Sequence, residues 1–172
     1  NIDNDRLARY TYEVTSFDGD RQGGTASSEG IVFGSAIEAP FSYSFDCEDE
    51  IEFFRVVDSN EDNRTWTFIP DSKCMGYSWN PSGYADDWFI TPPLRLKAGF
   101  IYTLRYLMSS ENESFIETHE VRLGTSATPG DMTQVITEST DVCTKSSNDW
   151  MSFEKRVTVS EDGIYYIGFH AV

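Results

Sequence analysis

The chain has 172 residues, 39% of them hydrophobic and 15% aromatic, with 12 Phe, 9 Tyr and 4 Trp. That is enough apolar mass for one full domain with a sizeable core, and it excludes intrinsic disorder. The net charge of −16 repels phosphate backbones and excludes nucleic acid as a partner, while it suits either hard-cation binding by carboxylates or solubility outside the cell.

No apolar run approaches the ~20 residues needed to span a bilayer, so no transmembrane segment is expected. No leader segment is visible, and the abrupt start at Asn1 predicts a piece of a larger multidomain protein. The dominant period along the chain is two. In "RYTYEVTSF" (9–17), Tyr10, Tyr12 and Val14 share one face, and Thr11, Glu13 and Thr15 share the other. This predicts a strand that pairs with a second across the turn "FDGDRQGG". A boundary falls near "FGSAIEAPFS" (33–42). Residues 1–34 then form a strand-like extension, because a lone hairpin is marginal in water. Further strands are predicted in "DWFITPPLRL" (87–96), "FIYTLRYLMSS" (100–110), "THEVRLGTS" (118–126), "MSFEKRVTVS" (151–160) and "GIYYIGFHAV" (163–172), bounded by turns such as "KAG", "TPGD" and "SEDG". "GDMTQVITES" (130–139) is the best helical candidate, a turn or two after Pro129. Many short strands without a convincing helix predict an all-β fold, an antiparallel β-sandwich.

Cys47, Cys74 and Cys143 form no C-x-x-C pair. Their odd number leaves at least one thiol free or paired with another chain. One disulfide is possible without the pairing being determined, and three buried thiols are the expected arrangement.

The extension, with its Tyr-x-Tyr-x-Val strand and Gly-rich turn, resembles the last two strands of a fibronectin type III module. From Pro40 onward a fuller resemblance is carried by "APFSYSFD" (39–46), "FFRVVDSNEDNRTW" (53–66), "ADDWFITPPLRLKAGFIYTL" (85–104), "HEVRLGTSATPGDMT" (119–133) and "GIYYIGFHA" (163–171), in that order. "DDWFITPPL" is the most specific piece. Together they resemble the cleaved-adhesin, or choice-of-anchor J, domains of Bacteroidetes surface proteins. The resemblance implies a MAM-like jelly roll over residues 35–172, secreted or exposed at the outer-membrane surface. Members continue past the "FHA" strand, whereas this chain stops at Val172. A closing strand is therefore missing, or the N-terminal hairpin covers that edge.

"DSNEDNRTW" (58–66) places Asp58, Asn60 and Asp62 at alternating positions, the first half of an oxygen-rich cation loop. Asn63 stands at the sixth position in place of Gly and Ile69 at the twelfth in place of Glu, so this is not an EF-hand. Two close carboxylates with only Arg64 as a basic neighbour repel each other, which favours a metal. The resemblance implies calcium on this turn, carried over to Asp58, Asn60 and Asp62, with Asp86 of "ADDW" as a fourth ligand. The alternative is that Asp58 and Asp62 cap turns and Asp86 binds backbone amides.

In "GYSWNPSGYADDW" (76–88), flat aromatic faces beside Asn80, Ser82 and Gly83 suit sugar rings and hydroxyls. Trp88 and Tyr77 are expected in the core, leaving Trp79 and Tyr84 as the candidate ligand platform. Glu48, Glu50 and Glu52 of "CEDEIEF" (47–53) would share a strand face, as do the carboxylates ~5 Å apart in some glycosidases. The resemblance places them in a solvated loop. Glu117 and His119 share a strand face short of the three ligands a transition metal needs, and are expected to face solvent. His170, in an apolar strand, is expected as a hydrogen-bonded core histidine. "NRT" (63–65) and "NES" (112–114) match a glycosylation pattern that arises often by chance. No nucleophile elbow, Cys–His signature or phosphate loop is present.

The sequence thus predicts a non-catalytic adhesion or carbohydrate-binding module with a structural calcium, whose partner is a glycan or a host or surface protein. A glycoside hydrolase or its accessory domain, and an architectural spacer, are the alternatives.

Overall fold

A computed structural model describes residues 7–28, 31–46, 48–79, 81 and 83–172. The chain divides into two compact units, Asn1–Ala36 and Ile37–Val172. In the first, β1 (Ala8–Tyr10) pairs antiparallel with β4 (Ile31–Phe33), and β2 (Glu13–Asp18) with β3 (Arg21–Ser27). The stretch expected as one strand over 9–17 is therefore two, interrupted at Thr11–Tyr12, where Tyr12 exchanges hydrogen bonds with Ser28. The hairpin turn is also tighter than expected. Asp18 pairs directly with Arg21, and Gly19, at φ +62°, supplies the left-handed residue such a turn needs.

The second unit is a β-sandwich. Its larger sheet has β15 (Gly163–Ala171) at the centre. On one side lie β12 (Glu117–Gly124) and then β13 (Gln134–Val142). On the other, the two halves of β15 take different partners: β9 (Asp87–Ile90) beside Gly168–Ala171 and β10 (Leu94–Leu96) beside Gly163–Tyr165. Beyond these, β6 (Arg55–Asp58) pairs antiparallel with β9, and β5 (Ile37–Glu38) pairs parallel with β10. Thr91-Pro92-Pro93 thus interrupts what would be one long strand. Proline donates no N–H to a ladder. Thr91 bridges the break: its N–H donates to Ile167 O at 2.9 Å, and its hydroxyl accepts the Ile167 N–H at 3.0 Å. With neighbours on both sides, β15 presents no edge.

Facing this sheet, β11 (Tyr102–Met108) pairs antiparallel with β14 (Met151–Val157). Period two turns Tyr102, Leu104 and Tyr106 inward onto a core of Leu94, Leu96, Val121, Leu123, Val157, Val159 and Ile167. A smaller hairpin joins β7 (Thr67–Ile69) to β8 (Cys74–Gly76).

The expected helical turns at 130–139 are not there. A 3-10 turn covers Pro129–Asp131, and β13 starts at Gln134, because the β-branched run "VITEST" pairs with β12. Glu48–Ile51 is a 3-10 turn, so Glu48, Glu50 and Glu52 do not share the strand face of the glycosidase alternative. The Glu50 side chain and Cys47 lie outside the described residues. Cys74 is half-buried and Cys143 exposed, both free thiols, so the expectation of three buried thiols fails at Cys143.

Candidate functional site

Asp58 ends β6, and the chain then folds back on its own polar side chains. Asp58 Oδ1 accepts the Asp62 N–H at 3.1 Å and Oδ2 the Asn63 N–H at 2.8 Å. Asn60 Oδ1 accepts from Asp62 N–H at 3.2 Å, and Asp62 Oδ1 from Arg64 N–H at 2.7 Å. Glu61 and Asn63 adopt φ of 57° and 64°. A left-handed residue costs about 1–2 kcal/mol, and the side-chain acceptors offset that by satisfying the turn's N–H groups. The alternating 58–60–62 pattern therefore builds the turn itself.

The same turn grips the segment that follows β8. Asn60 Nδ2 donates to Tyr84 O at 2.8 Å, Arg64 Nη1 to Trp79 O at 2.9 Å, and Ser59 N–H to Asp86 O at 3.2 Å. The backbone is held at 79 and 84, while the two side chains stand in solvent, Trp79 71% and Tyr84 92% exposed. Between them, Asn80 and Ser82 lie outside the described residues. Trp88 is buried as expected, and Tyr77 is half-buried.

Strand alternation separates the two aspartates of "ADDW". His170 is the cross-strand partner of Trp88, and its ring stacks on the indole at 4.1 Å and 9°. Its Nε2 bonds Asp86 Oδ1 at 2.8 Å, so Asp86 serves the Trp88 face. Asp87 belongs to the opposite face with Phe89. There it stands directly across the ladder from Asp58 and is 0% exposed. The four expected metal ligands are accordingly not gathered at one point. Asp58, Asn60 and Asp62 share the turn, whereas Asp86 pairs with His170.

The unexpected residue is Asp87. Trp66 lies over this face, tilted against Phe89 at 6.2 Å and Tyr77 at 6.0 Å, and its indole N–H donates to Asp87 O at 3.1 Å. Beneath it, Asp87 Oδ1, Tyr77 OH and Thr65 Oγ1 are all buried. The two hydroxyls stand within reach of the Asp87 carboxyl as hydrogen-bond donors and pull its pKa down against the rise from burial. Burial pushes the Asp87 carboxyl above the usual range, and the Asp58 charge adds to the rise. Burial also raises the Tyr77 phenol, with Asp87, Asp62 and Asp58 contributing.

Two carboxylates and two hydroxyls offer only oxygens, the donor type hard cations take, but both Asp58 oxygens already accept backbone N–H groups of the turn. Among the described residues no three His, Cys, Asp or Glu side chains gather around a metal position, so neutral oxygens would have to complete any shell. The signal for Asp87 was in the sequence: if Trp88 and Ile90 face one way, Asp87 and Phe89 face the other, while Asp86 goes with Trp88. Thr65 and Tyr77 carried no such signal.

Contrary to the expected solvent-facing position, His119 is 1% exposed. Its Nδ1–H donates to Thr140 O at 3.0 Å, so Nε2 is the acceptor for the Tyr106 hydroxyl at 3.0 Å, and that hydroxyl takes the Thr137 proton at 3.0 Å. The ring is committed to the core and has no free nitrogen for a metal.

No family model matches the sequence, and no curated protein shows significant similarity to it. Solved structures do. The K1 cleaved adhesin domain of Lys-gingipain from Porphyromonas gingivalis W83 aligns with a TM-score of 0.55 at 14% identity, over 75% of this chain and 85% of that one. The K3 cleaved adhesin domain of the same protein aligns at 0.51 and 14%, over 69% and 79%. An isomalto-dextranase of Arthrobacter globiformis T6, complexed with panose, reaches only 0.40 at 10% identity, over 98% of this chain and 30% of that one. At these identities the likeness is one of fold: the chain has a β-sandwich similar to that of the gingipain cleaved adhesin domains.

Proposed function

We propose that the chain is a non-catalytic adhesion module of a larger secreted or cell-surface protein, and that it binds a glycan or a glycosylated surface protein through Trp79 and Tyr84. The observation that carries this reading is the anchored loop. Hydrogen bonds from Asn60 and Arg64 fix the backbone at both aromatics, yet the rings are left in water. Large exposed aromatics lose little conformational entropy on binding when their backbone is already held. A net charge of −16 favours neutral over anionic sugars. The adhesin-like fold supports the reading.

A structural calcium belongs to the same proposal. By mass action it would stabilise the fold by about 2.7 kcal/mol at a hundredfold excess over Kd. The test of binding is a glycan array probed with the wild-type chain and with Trp79→Ala and Tyr84→Ala. Selective neutral glycans are expected for the wild type, and loss of signal for both variants at unchanged melting temperature. An array blank for the wild type, or variants that bind equally well, would refute the platform and leave an architectural spacer.

A further inference from the structure

We infer that one end of the sandwich, where Leu107, Phe115, Ile116 and Trp150 gather, is a second interaction surface, and that its partner is a cationic, apolar segment of another protein. This surface does not rest on the aromatic loop assigned to glycan binding above.

The ladders bring the four residues to the same end. Tyr102, Leu104 and Tyr106 turn inward, so Leu107 leaves β11 on the outer face, across from Ser152. By the same alternation Trp150, two residues before Ser152, continues that face. Phe115 and Ile116 lead into β12, whose first residue, Glu117, pairs with Val142 at the end of β13. Two loops, 109–116 and 143–150, therefore close this end, and a buried clasp locks them to each other. Ser110 N–H donates to Thr144 Oγ1 at 2.9 Å, Thr144 N–H to Ser110 Oγ at 2.8 Å, and the Thr144 hydroxyl to Ser110 O at 2.9 Å. Ser110 and Thr144 are buried, whereas Leu107, Phe115, Ile116 and Trp150 are 60%, 54%, 60% and 41% exposed. Loops already fixed by a clasp lose little entropy on binding. Large apolar side chains clustered in water mark a contact surface, unlike single scattered ones.

Charge selects the occupant. Residues 109–118 and 141–150 carry Glu111, Glu113, Glu117, Asp141 and Asp149, all exposed, against Lys145 alone. Among the described residues none of these acids has an ion-pair partner, whereas Glu154 is held by Arg105 at 2.8 Å and Glu38 by Arg95 at 3.0 Å. Acids around an apolar centre repel a second copy of this chain and an anionic lipid surface alike. They attract lysine or arginine set beside apolar residues, the combination that satisfies both the rim and the centre.

The test is fluorescence anisotropy with two labelled synthetic peptides of equal length and charge, one alternating Lys and Leu, the other Lys and Ser. The wild-type chain should bind the Lys–Leu peptide saturably, about tenfold or more tighter than the Lys–Ser peptide. Ile116→Ser and Trp150→Ser should each weaken the Lys–Leu peptide roughly tenfold. Phe100→Ser, at an apolar residue 59% exposed but placed before β11, should bind as wild type. Glu111→Gln, Glu113→Gln and Glu117→Gln combined should weaken binding and flatten its salt dependence. Melting temperature checks that each variant folds; Ile116→Ser, at the more exposed position, carries the test if Trp150→Ser does not fold. No saturable binding, equal affinity for the two peptides, or unchanged affinity in Ile116→Ser overturns the surface. Self-association of the wild type in sedimentation that Ile116→Ser abolishes overturns the occupant in favour of a second copy. Cosedimentation with phosphatidylcholine vesicles that the same variant abolishes overturns it in favour of a membrane. Trp79→Ala should keep peptide binding, so a blank glycan array beside intact peptide binding would sink the glycan platform alone.

Discussion

Tyr106→Phe removes one oxygen that serves two hydrogen bonds beside the core of the sandwich. The variant keeps the ring, which stacks on Phe153 at 4.9 Å and 6°, so no cavity forms. What it leaves is His119 Nε2 without a donor and the Thr137 hydroxyl without an acceptor, both on side chains 1% exposed. At about 1–3 kcal/mol per orphaned group, with partial relaxation, the expected loss is about 2–4 kcal/mol. Urea unfolding at pH 7.5 measures it as a lower midpoint at unchanged slope.

The same histidine sets a pH signature. Burial, with Lys155 assisting against the Thr140 bond, holds its pKa below the ordinary value. The unfolded chain therefore takes up a proton near pH 6.5 that the folded one still refuses. This contribution is intact above that pH and is lost as pH falls below it toward the folded value. Falling pH also relieves repulsion in a chain of charge −16, so the effect is read as the difference between wild type and His119→Gln. Between pH 7.5 and 5.5 the wild type should lose its advantage over the variant. A Tyr106→Phe cost below about 0.5 kcal/mol, or parallel pH curves for wild type and His119→Gln, would refute the network as the reason His119 is buried.

Gly168→Ala would set a Cβ 2.8 Å from Trp88 Cε3 and 3.2 Å from Met132 Sδ, where the indole is already sandwiched against His170. Overpacking of this kind costs about 1–3 kcal/mol, expected as a fall of several degrees in melting temperature by calorimetry. Thr91→Val deletes the hydroxyl that accepts the Ile167 N–H at the proline break, and the orphaned amide should cost about 1–3 kcal/mol in urea unfolding and exchange faster with solvent.

Period-two alternation made the all-β class and the strands β9 to β12, β14 and β15 legible, because burial of one strand face writes itself directly into neighbouring residues. Trp79 and Tyr84 were legible as candidates for the same local reason: Asn-Pro and Gly beside them mark a loop, and loops run over surfaces. The polar pattern of 58–62 was legible as a turn, but its use was not, since carboxylates that cap backbone N–H groups and carboxylates that hold a metal have the same spacing. What only the tertiary structure decided is which side chains meet. Asp58 faces Asp87 because β6 registers on β9, and Asp86 is drawn to His170 because β15 brings it there from 84 residues away. His119 is buried because Tyr106, Thr137 and Thr140 arrive from three other strand positions to satisfy it. "VITEST" is a strand because β12 offers it a ladder. Each of these is a long-range pairing whose energy exists only once the chain has closed, so no local window of residues carries it.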